Sequence, residues 1–327
     1  MAVRGELASL RDLRLEHSRE PGDINSPLYR LLAALKPNSL RILHLKHGPI
    51  DEDAFGIILK QQGRSLRELI VFPKWNWLEA YGVHNPPPKP LVGLTPALSA
   101  QLADSCHNLE HAFFAVDRTL GDADECSVYR ALSRLPRLET LHLELDVTVQ
   151  RNEHFWEQGI EVYDRPRNIP QAELSRAISN AAVDASLARA IFNIISPHHQ
   201  GLQRLSIGTS LKNGPYSRAT VTSGFFRLLR WFAREWSCEW KCSSSGEPTV
   251  EIREGMSNLT EQSGEYWATL DVDIARGDVE GNERDEAPDL AAFVDAFADI
   301  WPRTTSRWWE EWRSLPLCPD QTQTEGN

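Results

Sequence analysis

A short phrase, Leu-x-x-Leu-x-Leu with a polar or small residue in front, recurs at uneven intervals over the first two thirds of the chain. It reads Ser9-Leu10-Arg11-Asp12-Leu13-Arg14-Leu15, Ser39-Leu40-Arg41-Ile42-Leu43-His44-Leu45, Ser65-Leu66-Arg67-Glu68-Leu69-Ile70-Val71, Arg137-Leu138-Glu139-Thr140-Leu141-His142-Leu143 and Gly201-Leu202-Gln203-Arg204-Leu205-Ser206-Ile207. Asn108-Leu109-Glu110-His111-Ala112-Phe113-Phe114 is a weaker copy. Such a unit cannot bury its apolar edge alone. Stacked neighbours give one continuous core and one extended face of strands, so the phrase constrains the chain to fold as an array.

The first Leu of successive phrases, at 10, 40, 66, 109, 138 and 202, fall 30, 26, 43, 29 and 64 residues apart. Three of these gaps lie close to the roughly 20 to 29 residues of a leucine-rich repeat, and the two long ones carry insertions. Between the phrases lie helical patterns with start signals. Ser26-Pro27 opens Leu28 to Leu35, Asp51 opens Asp53 to Gln62, Thr95-Pro96 opens Ala97 to Cys106, and Asp122 opens Ala123 to Leu135. Glu173 to Ile195 predicts one or two more helices, stopped by Pro197. The expected class is α/β: an irregular leucine-rich repeat solenoid, a curved parallel sheet with helices on its convex side, closed by a C-terminal α+β cap.

Side chains alternate along a strand, so the two apolar strand positions of each phrase point inward and the residues between them face the other way. Three rows follow on that face. Asp12, Ile42, Glu68, His111, Thr140 and Arg204 form the first; Arg14, His44, Ile70, Phe113, His142 and Ser206 the second; Glu16, Lys46, Phe72, Ala115, Glu144 and Gly208 the third. Most are polar, but Ile70, Phe72 and Phe113 make an apolar spot, the kind of patch that marks interaction sites. The insertion at about 73–94, with Trp75, Trp77, Tyr81 and a Pro-rich run, either folds over that spot or leaves it open. A second insertion, at about 146–171, carries His154, Phe155, Trp156 and Tyr163, and leaves from the same edge.

Residues 1–215 therefore make the repeat array and 216–318 a Trp-rich cap, with 319–327 a disordered tail. In the cap, Thr222 to Ala233 predicts a helix, and Trp236 to Lys241, Thr249 to Arg253 and Tyr266 to Asp273 an antiparallel meander. Acidic Gly277 to Asp289 predicts an exposed loop, followed by a helical stripe of Leu290, Phe293, Val294, Phe297, Ile300 and Trp301. Trp308, Trp309 and Trp312 continue at helical spacing, a pattern that more often builds core than a ligand cage.

With 327 residues, 41% hydrophobic and 25% charged, the composition is that of a globular protein. A net charge of -11 argues against nucleic acid as the partner, because phosphate binding needs a concentrated basic face. No stretch approaches the roughly 20 apolar residues of a membrane helix, and no leader precedes the first phrase. Five scattered cysteines suit a reducing compartment, so the expected location is intracellular, cytoplasmic or nuclear.

Chemistry is sparse. Cys238 and Cys242 share a strand face too far apart for one zinc, and His44 and His142 are separated by two intervening strands. No phosphate loop, nucleophile elbow or zinc-protease motif appears, and no cofactor, metal or catalytic residue is expected.

The phrases at Ser39 to Leu45 and Arg137 to Leu143, their spacing and the Trp-rich ending resemble the irregular repeat region of fungal F-box-type leucine-rich repeat proteins. The resemblance covers about Leu7 to Ile207, the repeat region alone; the F-box motif is absent. It implies a substrate-recognition arc and, through the family, a link to a ubiquitin ligase. The expected function is thus protein or peptide recognition on the concave face, with Arg14, His44, Ile70, Phe72, Trp75, Trp77, His111, Phe113, His142 and Trp156 as candidate contacts. The alternative is a small-molecule-binding protein or enzyme whose pocket is enclosed by the two insertions and lined by Trp75, Trp77, His111 and Trp156.

Overall fold

The computed structural model describes residues 10–16, 31, 34–46, 52–72, 93–147, 170–197, 201–210, 234–242, 248–255, 287–301 and 312–318. Within them every Leu phrase is a strand. These are β1 (Asp12–Glu16), β2 (Ile42–Lys46), β3 (Glu68–Phe72), β4 (His111–Asp117), β5 (Thr140–Asp146) and β6 (Arg204–Ser210). They lie side by side in chain order, all parallel. β7 (Trp236–Cys242) and β8 (Pro248–Glu254) follow antiparallel, completing an open, mostly parallel sheet of eight strands.

The phrase sets the stacking through its backbone as well as its leucines. The residue after the first Leu places its carbonyl under the next phrase: Arg11 O accepts from Arg41 N at 2.7 Å, Arg41 O from Arg67 N, Arg67 O from Glu110 N, Glu110 O from Glu139 N and Glu139 O from Gln203 N, the last four at 2.8 Å. Each of these carbonyls also accepts from the following N–H of the next phrase, at 2.9–3.1 Å, so a two-donor brace aligns each strand start with its neighbour and fixes the register. The last of the series, Gln203 O to Trp240 N at 3.3 Å, ties in β7.

Between the strands run α1 (Glu52–Gln62), α2 (Pro96–Ser105), α3 (Ala123–Leu132), α4 (Gln171–Ala181) and α5 (Ala185–Ile195), and α6 (Ala287–Ile300) follows β8. Two of the predicted start signals act as caps: Thr95 Oγ1 accepts from Leu98 N with Pro96 in the first turn, and Asp122 Oδ1 from Glu125 N at 2.9 Å. Ser26-Pro27 and Asp51 lie outside the described residues, and Asp184, which is not among the predicted signals, caps α5 by accepting from Leu187 N at 2.9 Å. Such caps are each worth about 1 kcal/mol. Asp184 also breaks the Glu173 to Ile195 stretch into α4 and α5.

One core joins the inward strand residues to four helices. Leu43, Leu69, Leu141 and Leu205 in the sheet pack with Phe55 and Ile58 of α1, Leu98 and Leu102 of α2, Tyr129 and Leu132 of α3, and Ile191 and Phe192 of α5. The first Leu of five phrases, Leu40, Leu66, Leu109, Leu138 and Leu202, is at most 3% exposed. Leu10 is half-buried.

The β4–α3 turn is held by charge. Glu125 in the first turn of α3 accepts from Arg118 Nη1 with both oxygens (2.8 and 2.7 Å), from Thr119 N and Gly121 N, and from the Tyr129 hydroxyl at 2.8 Å. Both charged side chains are fully buried. Burial and the adjacent Glu125 push the Tyr129 phenol well above its ordinary range.

The C-terminal third is divided in its packing. β7 extends the main sheet, and its tryptophans are anchored to the helix layer: Trp236 Nε1 donates to Val183 O at 2.8 Å and Trp240 Nε1 to Ser196 Oγ at 3.1 Å. α6 begins at Ala287, inside the stretch expected to be loop, and packs on α4, far away in sequence. Val147, Leu174, Ala177, Ile178, Phe293, Phe297, Trp301 and Trp312 form this second core. Trp312 is buried but belongs to an irregular segment, 312–318, that ties back to the repeats. Cys318 N donates to Gly121 O at 2.8 Å, and Ser314 Oγ donates to Asp184 Oδ1 at 2.6 Å. Most of Leu28 to Leu35, the segments 222–233 and 266–273, Trp308, Trp309 and the tail from 319 lie outside the described residues.

Candidate functional site: the sheet face opposite the helices

The register reproduces the expected rows. Asp12, Ile42, Glu68, His111, Thr140 and Arg204 are successive partners across six strands, and so are Arg14, His44, Ile70, Phe113, His142 and Ser206. In the third row Glu16, Lys46 and Phe72 are partners, and separately Ala115, Glu144 and Gly208. A fourth row, Asp117, Asp146 and Ser210, arises because β4 to β6 run two residues past the phrase.

These rows differ steeply in exposure. At the N-terminal edge of the strands, Asp12, His111 and Arg204 are exposed. In the second row Ile70, Phe113 and His142 are half-buried, while His44 is buried. In the third, Ala115 is 3% and Glu144 7% exposed, and in the fourth Asp146 is 4% exposed. On β4 to β6 the face therefore passes from open to enclosed toward the C-terminal strand ends. Both insertions leave from those ends, after Phe72 of β3 and Asp146 of β5. Trp75, Trp77 and Trp156 lie outside the described residues, and the Phe72 side chain is likewise not described.

Two contacts organise the half-buried row. Phe113 and His142 stack face to face across β4 and β5, with ring centroids 4.4 Å apart and planes 9° from parallel. Burial holds the His142 imidazolium below the ordinary histidine range, against a weaker opposite pull from Glu235. The ring therefore serves as a neutral aromatic. His44 turns instead toward β3, where its Nε2 lies 2.7 Å from Glu68 Oε1. A carboxylate only accepts, so the imidazole carries its proton on Nε2 there. On the exposed row His111 Nδ1 meets the Thr140 hydroxyl. Ion pairs line the same edge: Arg14 with Asp12 at 3.2 Å, Arg67 with Glu110 at 3.1 Å, and Arg204 with Glu239 at 2.6 Å. Exposed pairs of this kind contribute between about 0 and 1 kcal/mol each. Their value lies in presenting fixed donors and acceptors.

The enclosed edge is acidic. Burial, and then the charge of its register partner Asp146, raise the Asp117 carboxyl to about 6 from an ordinary 3.8. Gly93 lies so close that a Cβ there would stand 2.8 Å from Asp117 Oδ1 and 3.0 Å from Asp117 N, so a larger residue would have to displace the carboxylate. A raised carboxyl favours the protonated form in the fold. Its contribution to stability is complete below pH 3.8 and is lost as pH rises through about 6. Asp117→Asn is therefore expected to stabilise the protein by on the order of 2 kcal/mol above neutrality and to give no gain below the unfolded-state pKa. Urea titrations at the two ends of that range check it, and an equal gain at both would refute it.

Among the described residues of this face no nucleophile, base and oxyanion donors are brought together. His111 and Thr140 make a base-and-hydroxyl pair, but it stands on the exposed edge, where water competes for every contact. Among the described residues no group of three His, Cys, Asp or Glu is placed to hold a metal ion. Cys238 faces the main core, where burial pushes its thiol up to about 11. A groove of about 390 Å³ opens on the helix side between α5 and the 312–318 segment, lined by Ser186, Leu187, Ala190, Ile194, Pro316 and Leu317, and shares no residue with the sheet face. Among the described residues no helix is long and apolar enough to cross a membrane.

The sequence brings Arg14, His44, Ile70, Phe113 and His142 to one row and His111 to the next, as the structure does. It does not reveal Glu68 as the partner of His44, the Phe113–His142 stack, or the Asp117–Asp146 pair. Extending the alternation one step beyond the phrase would have found the last of these. Comparison with family models, with curated proteins and with solved structures finds no match for this chain.

Proposed function

We propose that this chain is an irregular leucine-rich repeat array whose sheet face, concave in such an array, recognises a protein or an extended peptide. The observation that carries the reading is the graded face: an open polar row, a half-buried aromatic row built on Phe113 and His142, and an enclosed acidic row. Peptide recognition uses this combination. Aromatic surface supplies contact area at low entropic cost, and the polar edge supplies directed hydrogen bonds. Strands in chain order, one brace per phrase and helices packed against one side of the sheet support the repeat reading. The role resembles the recognition arc of F-box-type proteins, and a ubiquitin-ligase link is part of the proposal through that resemblance alone.

The test is a double variant, His111→Ala with Phe113→Asp. It is expected to lose a defined set of proteins, identified by quantitative mass spectrometry after capture on immobilised protein, that wild type and Arg134→Ala both retain. Arg134 pairs with Asp104 on the helix side. Phe113→Asp loses the ring's packing as well as the stack, so circular dichroism and thermal unfolding are used to establish that the variant is folded before captures are compared. Identical captures by all three proteins would remove the sheet face from consideration.

A further inference from the structure

The two outer strands of the sheet are unlike each other. β8 opens on Pro248, which lacks an N–H, and exposes Arg253 and Glu254, features that blunt an edge against further pairing. β1 carries no proline, and among the described residues it pairs on one side alone, with β2. Its core-side leucines are also incompletely covered. Leu13 and Leu15 are half-buried, whereas their equivalents Leu43, Leu69, Leu141 and Leu205, and Leu45, Val71, Leu143 and Ile207, are at most 5% exposed. On the other side of β1, Asp12 and Arg14 stand out with 47% and 59% of their side chains exposed. An edge that no described strand pairs, carrying leucines that are only half-buried, is a template for another strand.

We infer that this edge pairs with β1 of a second copy of the chain, antiparallel about a two-fold axis through Leu13, joining two eight-stranded sheets into one. The argument is the charge order of Asp12-Leu13-Arg14. With the axis at Leu13, each Asp12 lies directly opposite the partner's Arg14 on one face, and the two Leu13 side chains meet on the core face. Opposite charges facing each other across strands stabilise a pair, and like charges destabilise it. A slip that moves the axis to Arg14 sets Arg14 against Arg14 and Asp12 against Glu16, so the charges also select the register. The surface is self-complementary, as an isologous contact must be. One short strand buries less than a standard interface, so the affinity is expected in the micromolar range.

Sedimentation velocity on the full chain over a dilution series tests this. Wild type is expected to move from monomer to dimer with concentration. Asp12→Arg places four arginines across the axis, and Arg14→Asp places four aspartates there. Each should weaken self-association at least tenfold. An equimolar mixture of the two single variants should form a mixed dimer, because arginines then face aspartates throughout, and the double swap Asp12→Arg with Arg14→Asp should restore self-association. Both side chains are exposed, and circular dichroism checks that each variant is folded. A monomer at every concentration overturns the inference, as does a dimer that the single swaps leave unchanged or a mixture that fails to associate. In either of the last two cases any self-association runs through another surface.

Discussion

Glu125→Ala is expected to lower the unfolding free energy by about 3–5 kcal/mol, the range for breaking one side of a buried ion pair. Five donors converge on that carboxylate: Arg118 Nη1, Thr119 N, Gly121 N, the Thr119 hydroxyl at 3.5 Å and the Tyr129 hydroxyl. Removing it strands a guanidinium with 0% of its side chain exposed. Among the described residues Glu125 is the ion-pair partner of Arg118, and Arg118 Nε and Nη2 meet no acceptor there. Arg118 sits in the turn leaving β4 and Glu125 in the first turn of α3, so the pair fixes how the helix lies on the sheet. Thermal unfolding should show a fall of about 10 °C. Replacing both partners with apolar residues, Arg118→Met with Glu125→Leu, should recover only part of the loss: no uncompensated charge then remains buried, but Thr119 N, Gly121 N and the Tyr129 hydroxyl still lose their acceptor. A single variant within about 1 kcal/mol of wild type would show that water reaches the site and that the pair is not holding the turn.

The same pair shows where the sequence stops being informative. An acid in the first turn of a helix is ordinary, because it complements the helix dipole, and Arg118 follows a strand as many polar residues do. Nothing periodic links them. The rows on the sheet face were legible for the opposite reason. Strand alternation has a period of two, and the phrase repeats at a fixed offset, so His44, Ile70, Phe113 and His142 could be aligned by counting from each Leu. Counting gives position within a row but not depth. Whether Glu144 is solvated or 7% exposed depends on chain segments remote in sequence, and only the fold states that. The insertions were visible as the 43- and 64-residue gaps, and the structure adds that both depart from the enclosed end of the face.

The C-terminal third was the least legible, and it carries the second large effect. Apolar spacing predicted α6, but no local pattern says that it packs on α4, more than a hundred residues earlier, instead of covering the last strands. Phe293 and Phe297, one turn apart on α6, are 1% and 0% exposed and share one buried cluster with Ala177, Ile178 and Ala181 of α4, where the two alanines leave room for the rings. Gln171 Nε2 donates to Asp299 Oδ2 at 2.9 Å and Ser175 Oγ to Ala296 O at 3.5 Å along the same contact. Phe297→Ala is expected to cost about 3–5 kcal/mol, transfer loss plus the cavity left behind. The cost should be local. Val147 joins this core just after β5, and among the described residues its polar links to the main sheet and its helices include Leu120 N to Asn180 Oδ1, Ser314 to Asp184 and Cys318 N to Gly121 O, all at turns or irregular segments, whereas β4 and β5 belong to the other core. Native-state hydrogen exchange should therefore show protection falling in α4 and α6 while amides of β4 and β5 keep theirs, the signature of a unit that opens by itself. Unfolding of the variant should lose two-state character for the same reason. If protection instead falls equally in all of these elements, the two clusters unfold as one, and the helix pair is as integral to the sheet as its own layer of helices.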